Sequence, residues 1–470
     1  MEPNMVSLSR QISEWVADLS YDDLPTEVVD RAKGVTLHNL SSVLLGCQTQ
    51  SGRQAIELIR SEESGVSTGA TLMVDGTTVT KGGAAFVNSE LIMAGGKVDT
   101  FRMLTHPGTS ILPGALVAAE SVSASGKQFL TGVAAGYEVM ERLASDYIPT
   151  VMSRGFHASP VFGIFGAAIA SAKILDLTSD QINNVIGMCV HLSAGNLEGP
   201  RSGGRALREG AAARNAMVAI SLAVMGQVGG ETTLEGEAGF YHAYTGNNRG
   251  RLTYSFVGDT YSSLDNITQG LGQKWTFLET LYRPYSTAGY NLAHVDVTAQ
   301  LCEENNIKFE DVDRVEAVVN WLETQYPSPA FTSRREDGEA SKGGTKYYSA
   351  YGVVNRGFPM LRSQQMGVAD GDGDPPEVLD LMNRVTLIPS HEMTLFGPRI
   401  TIFTKDGKSY TKQSTGREFM WDFEEESRRI REIIPGIPIP ESQFEELIST
   451  CRNLDQEDLA EKIVRLTVIE

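Results

Sequence analysis

Three stretches of the sequence carry side chains that could move a proton or hold an anion. The first is Gly95-Gly96-Lys97-Val98-Asp99-Thr100-Phe101-Arg102-Met103-Leu104-Thr105-His106-Pro107-Gly108. It sets a carboxylate, two threonine hydroxyls and an imidazole among helix-breaking glycines and a proline. The second, Gly155-Phe156-His157-Ala158-Ser159-Pro160, repeats the pattern of an imidazole just ahead of a proline. The third, Glu198 to Gly210, places Arg205 and Arg208 among glycines before the small-residue run Ala211-Ala212-Ala213-Arg214-Asn215. Histidine titrates in the range a general acid or base needs. Arginine stays protonated and grips carboxylates with a planar fork. Together these groups suit proton transfer at a carbon beside a carboxylate, with the cations steadying the enediolate charge.

The flanking sequence must hold these loops. Apolar helical runs lie before the first loop (Ala84 to Met93) and after it (Gly114 to Val122). The second loop precedes an Ala/Gly-rich run, Val161 to Ile174. A polar loop wedged between apolar helices is costly to desolvate unless its groups are paired or used. Helical spacing also marks Ser7 to Leu19, Val28 to Leu45, Gly126 to Arg142 and Asn183 to Leu192. His38, inside Val28 to Leu45, reads as a core or interface histidine. Tyr137, Glu138 and Arg142 share one helical face, either lining the site or forming a surface pair. Gly69 to Thr80, centred on Asp75-Gly76, reads as a β-hairpin.

At 470 residues the chain exceeds what one hydrophobic core usually serves. The pattern changes near residue 280. Val315 to Trp321, Val385 to Pro389, Arg399 to Phe403 and Lys408 to Thr411 read as strands, and Phe423 to Leu466 returns to amphipathic helices. The expected fold is mainly α: a large all-helical domain from 1–279, completed by 416–470, and a smaller α+β lid over 280–415.

A net charge of −19 argues against nonspecific binding to nucleic acid or an anionic membrane. No apolar run is long enough to span a bilayer, and the N-terminus lacks a secretory pattern. A cytoplasmic protein is the expectation, with the mitochondrial matrix also open. The four cysteines, Cys47, Cys189, Cys302 and Cys451, lie far apart and read as buried thiols. There is no GxGxxG opening a βαβ unit, no Walker A, no HExxH and no zinc spacing. Neither a cofactor nor a metal is indicated.

Asp99-Thr100, then His106-Pro107 before an apolar helix, resembles the MmgE/PrpD family. Gly155-Phe156-His157 resembles its second histidine loop. Arg205, followed by Gly210, Ala212, Ala213, Arg214 and Asn215, resembles its basic segment, and Tyr282-Arg283-Pro284-Tyr285-Ser286 its crossover into a second domain. The resemblance runs from about residue 10 to the C-terminus. The family includes 2-methylcitrate dehydratases, cis-aconitate decarboxylases and iminodisuccinate epimerases.

The resemblance implies His106, His157, Asp99 and Tyr326 as catalytic, with Thr100, Arg205, Arg208 and Arg283 binding substrate. Arg205 and Arg283 stand where the decarboxylases carry lysines, and Gly96 where they carry an aspartate. The family's third histidine falls at Leu292, with His294 close by as a shifted replacement. These departures favour a cofactor-free dehydratase of a di- or tricarboxylate, such as an alkylcitrate. The alternatives are a cis-aconitate-type decarboxylase, an epimerase of a substituted succinate, or a lapsed member that only binds its ligand. Abundant Ala/Gly-rich apolar stretches and the family's habit imply a homodimer.

Overall fold

The computed structural model describes residues 6–198, 204–331, 340, 342–358 and 375–469, with side chains from 207 onward in the helix that begins at 204. Helices α1 (Leu8–Asp18), α2 (Thr26–Gly46) and α3 (Gln50–Glu63) precede a short hairpin, β1 (Ala70–Thr71) and β2 (Thr78–Val79). Helix α4 (Lys81–Gly95) leads into β3 (Asp99–Thr100). Then come α5 (Pro107–Val122), α6 (Gly126–Ala144), α7 (Ile148–Ser153), α8 (Ala158–Ile174), α9 (Ser179–Leu192), α10 (Gly204–Val224) and α11 (Phe240–Thr245). Strand β4 (Leu281–Tyr282) is followed by α12 (Gly289–Glu304), β5 (Val312–Asn320), α13 (Thr345–Asn355) and α14 (Pro376–Leu381). Strands β6 (Val385–Ser390), β7 (Arg399–Thr404) and β8 (Ser409–Gln413) precede α15 (Phe423–Ile430), α16 (Glu441–Arg452) and α17 (Lys462–Arg465). The chain is thus mainly α with a smaller α+β part.

The chain divides into two compact units. The first takes residues up to 252, 261–282 and 421 onward; the second takes 253–260 and 283–420. Residues 253–260, which the sequence places with the helical part, lie in the second unit. Asn320 explains why: its Nδ2 donates to Phe256 O (2.9 Å) and Met393 O (2.8 Å), while Trp321 Nε1 donates to Ser255 O (3.1 Å).

In the first unit α8 is the central helix, packed on α5, α6, α9 and α10. Of its residues only Lys173 is not buried, which fits a helix apolar on every side. Helix α4 packs on α2, α5 and α10. Helix α5 starts at Pro107, seven residues before the sequence-based start at Gly114. Pro113 suggests a break, since it removes one helical hydrogen bond. Burial of every residue from Pro107 to Ala119 outweighs that loss.

A second departure is the two-residue ladder of β3 with β4, antiparallel, pairing Asp99 with Tyr282 and Thr100 with Leu281. Two residues are too few for an alternation to show in sequence.

Arg142 and Glu138 on α6 form a buried ion pair. The surface option for that helical face therefore fails, because Arg142 also donates to the carbonyls of Ile267, Gln269, Gly270 and Lys274. One guanidinium so clamps the loop after Ser262 onto α6. Burial raises the Glu138 pKa, and Arg142 opposes that rise.

The second unit is built on a four-stranded sheet in the order β6-β5-β7-β8. Strands β5 and β6 are parallel; β5–β7 and β7–β8 are antiparallel. Helices α12 and α13 supply the opposing core with Val295, Leu301, Tyr348 and Val353.

Arg142→Met should destabilise the protein by about 3–5 kcal/mol, because it leaves the Glu138 charge buried without its partner. Urea denaturation measures this, and limited proteolysis should show new cleavage between Ile267 and Lys274. An unchanged urea midpoint would show that the clamp contributes nothing.

Candidate active site

Asp99 sits at the centre of the first loop with no exposed surface. Its Oδ1 accepts from the Gly108 backbone N–H at 3.0 Å. Its Oδ2 accepts from Asn39 Nδ2 at 3.2 Å and, in a short hydrogen bond, from the Tyr137 hydroxyl. These donors come from α5, α2 and α6, so one carboxylate ties three helices to β3. Gly108 has to be glycine for this: a Cβ there would stand 2.6 Å from the Tyr137 hydroxyl oxygen and collide with the Asn39 amide. Burial pushes the Asp99 pKa up, and the donors from Tyr137, Gly108 and Asn39 pull it back. Burial and the neighbouring Asp99 in turn keep the Tyr137 phenol protonated.

His106 and His157 hold equivalent places. Each is the N-cap residue of a buried helix, α5 and α8, and neither side chain makes a capping hydrogen bond. Pro107 takes the first helical position, where a missing N–H costs nothing. His106 Nδ1 lies 3.0 Å from the Asp99 carbonyl oxygen and 3.2 Å from Thr100 Oγ1. A carbonyl oxygen only accepts, so Nδ1 carries the proton and Nε2 keeps the basic lone pair. Thr100 is buried and presents its hydroxyl to the imidazole.

The two histidine loops are joined. The His106 backbone N–H donates to Ser159 Oγ (3.1 Å), and the Ser159 backbone N–H donates to Leu104 O (3.0 Å). The second loop is braced in turn. His157 N donates to Gly195 O at 3.1 Å and Leu197 N to Gly155 O at 2.8 Å. Arg208 Nη1 reaches the same strip, donating to Asn196 O at 2.8 Å.

His157 Nδ1 lies 3.8 Å from Glu209 Oε1 on α10, and Glu209 Oε2 lies 4.0 Å from Arg208 Nε. Glu209 is fully buried.

The candidate residues from the sequence thus fall into groups. Asp99, Thr100, His106, His157 and Arg208 belong to the first unit and are linked through Ser159 and the 195–197 strip. Arg205 starts α10, but its side chain lies outside the described residues. Arg283 and Tyr326 belong to the second unit. Arg283 is buried and donates to Thr287 O at 2.8 Å, and the Tyr326 ring meets Tyr290 edge-on at 6.1 Å.

His294, offered as a replacement histidine, is fully buried in the second unit. Its Nδ1 lies 2.9 Å from Ser349 Oγ and its Nε2 3.4 Å from Glu323 Oε2. His38 is a core histidine, 2.8 Å from Glu426 Oε1. All four cysteines are buried free thiols.

Sequence reasoning gave no role to Asn39, Ser159, Glu90 or Glu209. Glu209 stood beside Arg208 in a stretch already singled out, so a carboxylate facing a helix start was the available signal. No group of three or more metal-type ligands occurs among the described residues. No helix among them is long and apolar enough to cross a membrane.

Tyr137→Phe removes one donor to a buried carboxylate and should cost about 1–3 kcal/mol of stability. Denaturant titration of the two proteins at neutral pH measures it. Equal midpoints would mean that Asp99 does not depend on the phenol.

Residues 10–252 match the MmgE/PrpD N-terminal domain. The chain is 24% identical over 425 residues to a cis-aconitate decarboxylase-like protein of Aspergillus oryzae, covering 86% of this chain and 85% of that one. It is 23% identical to a cis-aconitate decarboxylase of Aspergillus terreus, over 86% of this chain and 84% of the other. It is 28% identical to human cis-aconitate decarboxylase over 244 residues, half of each chain. The domain match spans more than half of the sequence and takes in both histidine loops, Asp99 and Glu209, so this chain belongs to the MmgE/PrpD family.

Proposed function

We propose that the protein is a cofactor-free lyase that removes water from a di- or tricarboxylate of the alkylcitrate type. The observation that carries this is the placement of two imidazoles at joined helix starts, with the His106 tautomer set by the Asp99 carbonyl. In this reading His106 Nε2 takes the proton from the carbon beside a carboxylate. The electron pair forms the double bond, and the C–O bond breaks. His157, entering as imidazolium, gives its proton to the departing hydroxyl. Two imidazoles held on rigid helix ends supply the orientation that such a step requires.

Asp99 acts here as a positioning residue, since both its oxygens are taken by donors from three helices. Thr100 steadies the imidazole. Arg208, with Arg205 as its expected companion, draws the substrate carboxylates. The roles of Arg283 and Tyr326 rest on the family resemblance.

A second reading is decarboxylation of a cis-aconitate-type substrate. The relatives of that name, aligned over most of the chain, favour it. Arg205 and Arg283 in place of lysines favour dehydration, because arginine is a poor proton donor.

Incubating the protein with 2-alkylcitrates, cis-aconitate and substituted succinates in deuterium oxide, followed by NMR, separates the readings. Loss of water, loss of carbon dioxide and bare deuterium exchange are distinct products. Complete inertness with tight ligand binding would identify a lapsed, ligand-binding member. In the active case His106→Gln and His157→Gln should each lower turnover about 10²–10⁴-fold with the fold intact. Near-normal turnover in both variants would remove the assignment.

We also propose a homodimer. Leu207, Val218, Leu222 and Met225 line one face of α10 and its end, and all are exposed, Met225 at 82%. Their spacing of eleven, four and three residues makes one helical stripe. An apolar stripe of this kind marks an interaction surface. Sedimentation at micromolar concentration should give twice the chain mass, and Val218→Lys with Leu222→Lys should give the chain mass. A wild-type protein that sediments as a monomer would contradict this.

A further inference from the structure

Behind His157 lies a pair of buried carboxyl groups that the mechanism above does not use. Glu209 on α10 has no exposed surface and Glu90 on α4 is 2% exposed. Helices α4 and α10 pack directly on each other. Gly210, next to Glu209, is where Glu90 docks: its N–H donates to Glu90, and a Cβ there would lie 2.7 Å from Glu90 Oε1. The same Oε1 has no hydrogen-bond partner among the described residues. The glycine is therefore a slot that admits a second carboxyl group beside the first. Among the described residues, Glu209 and not Glu90 has cations within 4.0 Å, although the Arg208 charge also reaches Glu90. Glu209 faces His157 Nδ1 at 3.8 Å and Arg208 Nε at 4.0 Å.

The structure assigns Glu209 and Glu90 as a buried carboxyl pair in which ionised Glu209 positions and polarises His157 while Glu90 stays protonated. This rests on the reading of His157 as an acid–base group. Glu209 then acts through His157 as a positioning residue. A carboxylate near Nδ1 favours the proton on that nitrogen and leaves Nε2 for the reacting atoms. It also stabilises the imidazolium that must exist before the proton is delivered. Two buried carboxyl groups whose charges act on each other resist ionising together, so one keeps its proton. Burial first, then the Glu209 charge, pushes the Glu90 pKa up to about 8.

Among the described residues, these charged groups lie on the elements packed around the pair. Helix α10 presents Arg208 and Glu209, α8 starts at His157, and α4 gives Glu90. Helix α5 carries no charged side chain before Glu120, and α9 has Asp180 and His191 at its two ends.

The linkage has a definite sign. A carboxyl group whose pKa is higher folded than unfolded binds more protons when folded, so its contribution makes stability fall as pH rises. For Glu90 that window runs from its unfolded value of 4.5 to about 8.

The test uses the full-length protein with isotope-labelled histidines. His157 is assigned by its disappearance in His157→Gln and titrated by imidazole NMR in the absence of substrate. Glu209→Gln should lower the His157 midpoint by about one pH unit or more. Glu90→Gln imitates the protonated partner and should leave that midpoint unchanged. It should also gain thermal stability over the wild type as pH rises from 5 to about 8, and level off above that. An unchanged His157 midpoint in Glu209→Gln, or a fall as large in Glu90→Gln, would overturn the proposal. So would equal pH dependence of stability in Glu90→Gln and wild type, a comparison that holds even if Glu209→Gln does not fold. In turnover, Glu209→Gln should move the acid–base limb of the kcat profile along with the His157 midpoint. The titration needs no catalysis, so full activity in His157→Gln would remove the acid–base reading while leaving the pair itself decided by NMR.

Discussion

One buried carboxylate organises the first unit. Asp99 has to be desolvated to sit between α2, α5 and α6, and an isolated charge there would be prohibitively costly. The cost is offset because each oxygen meets a donor fixed by the fold: the Gly108 backbone N–H of α5 at one, the Asn39 amide and the Tyr137 phenol at the other. Satisfying Asp99 in this way fixes the direction of its backbone carbonyl, and that carbonyl receives His106 Nδ1. The charge thus acts on the imidazole indirectly, through backbone geometry. Buried polar networks that are fully satisfied give rigidity and a single arrangement. Here the rigid element is the start of α5, where the imidazole stands.

Helix α10 works in two directions. Its inward turn carries Arg208 and Glu209 to the second histidine loop, while its outward stripe of Leu207, Val218, Leu222 and Met225 remains exposed. In the proposed assembly the same helix supports the site and meets a second copy. Packing between copies would then bear on how firmly Glu209 is held against His157.

Much of this was legible in the sequence, and for identifiable reasons. Glycine and proline punctuation marked both histidine loops, because breakers beside apolar helical runs leave few other readings. The helical core and the later strands followed from apolar periodicity. The start of α5 did not, since Pro113 reads locally as a break and only tertiary burial overrides it. Nor did the β3–β4 ladder, which joins residues far apart in sequence with two pairs. Tyr137, Glu138 and Arg142 read as one helical face, but a helical face does not say what lies across from it. The partners are Asp99 and the carbonyls of a distant loop. Asn39, Ser159 and Glu90 were invisible for the same reason: each matters through one contact with a distant segment. Glu209 was within reach, since it stands next to Arg208.

The Asp99 loop holds His106 with its proton on Nδ1 and its lone pair on Nε2. Long-range proton–nitrogen NMR of the labelled imidazole at neutral pH, with His106 assigned through His106→Gln, reads this directly. The expected spectrum shows a pyrrole-like Nδ1 and a pyridine-like Nε2. A pyridine-like Nδ1 with the proton on Nε2 would contradict it, because the nitrogen facing substrate could then not serve as the base.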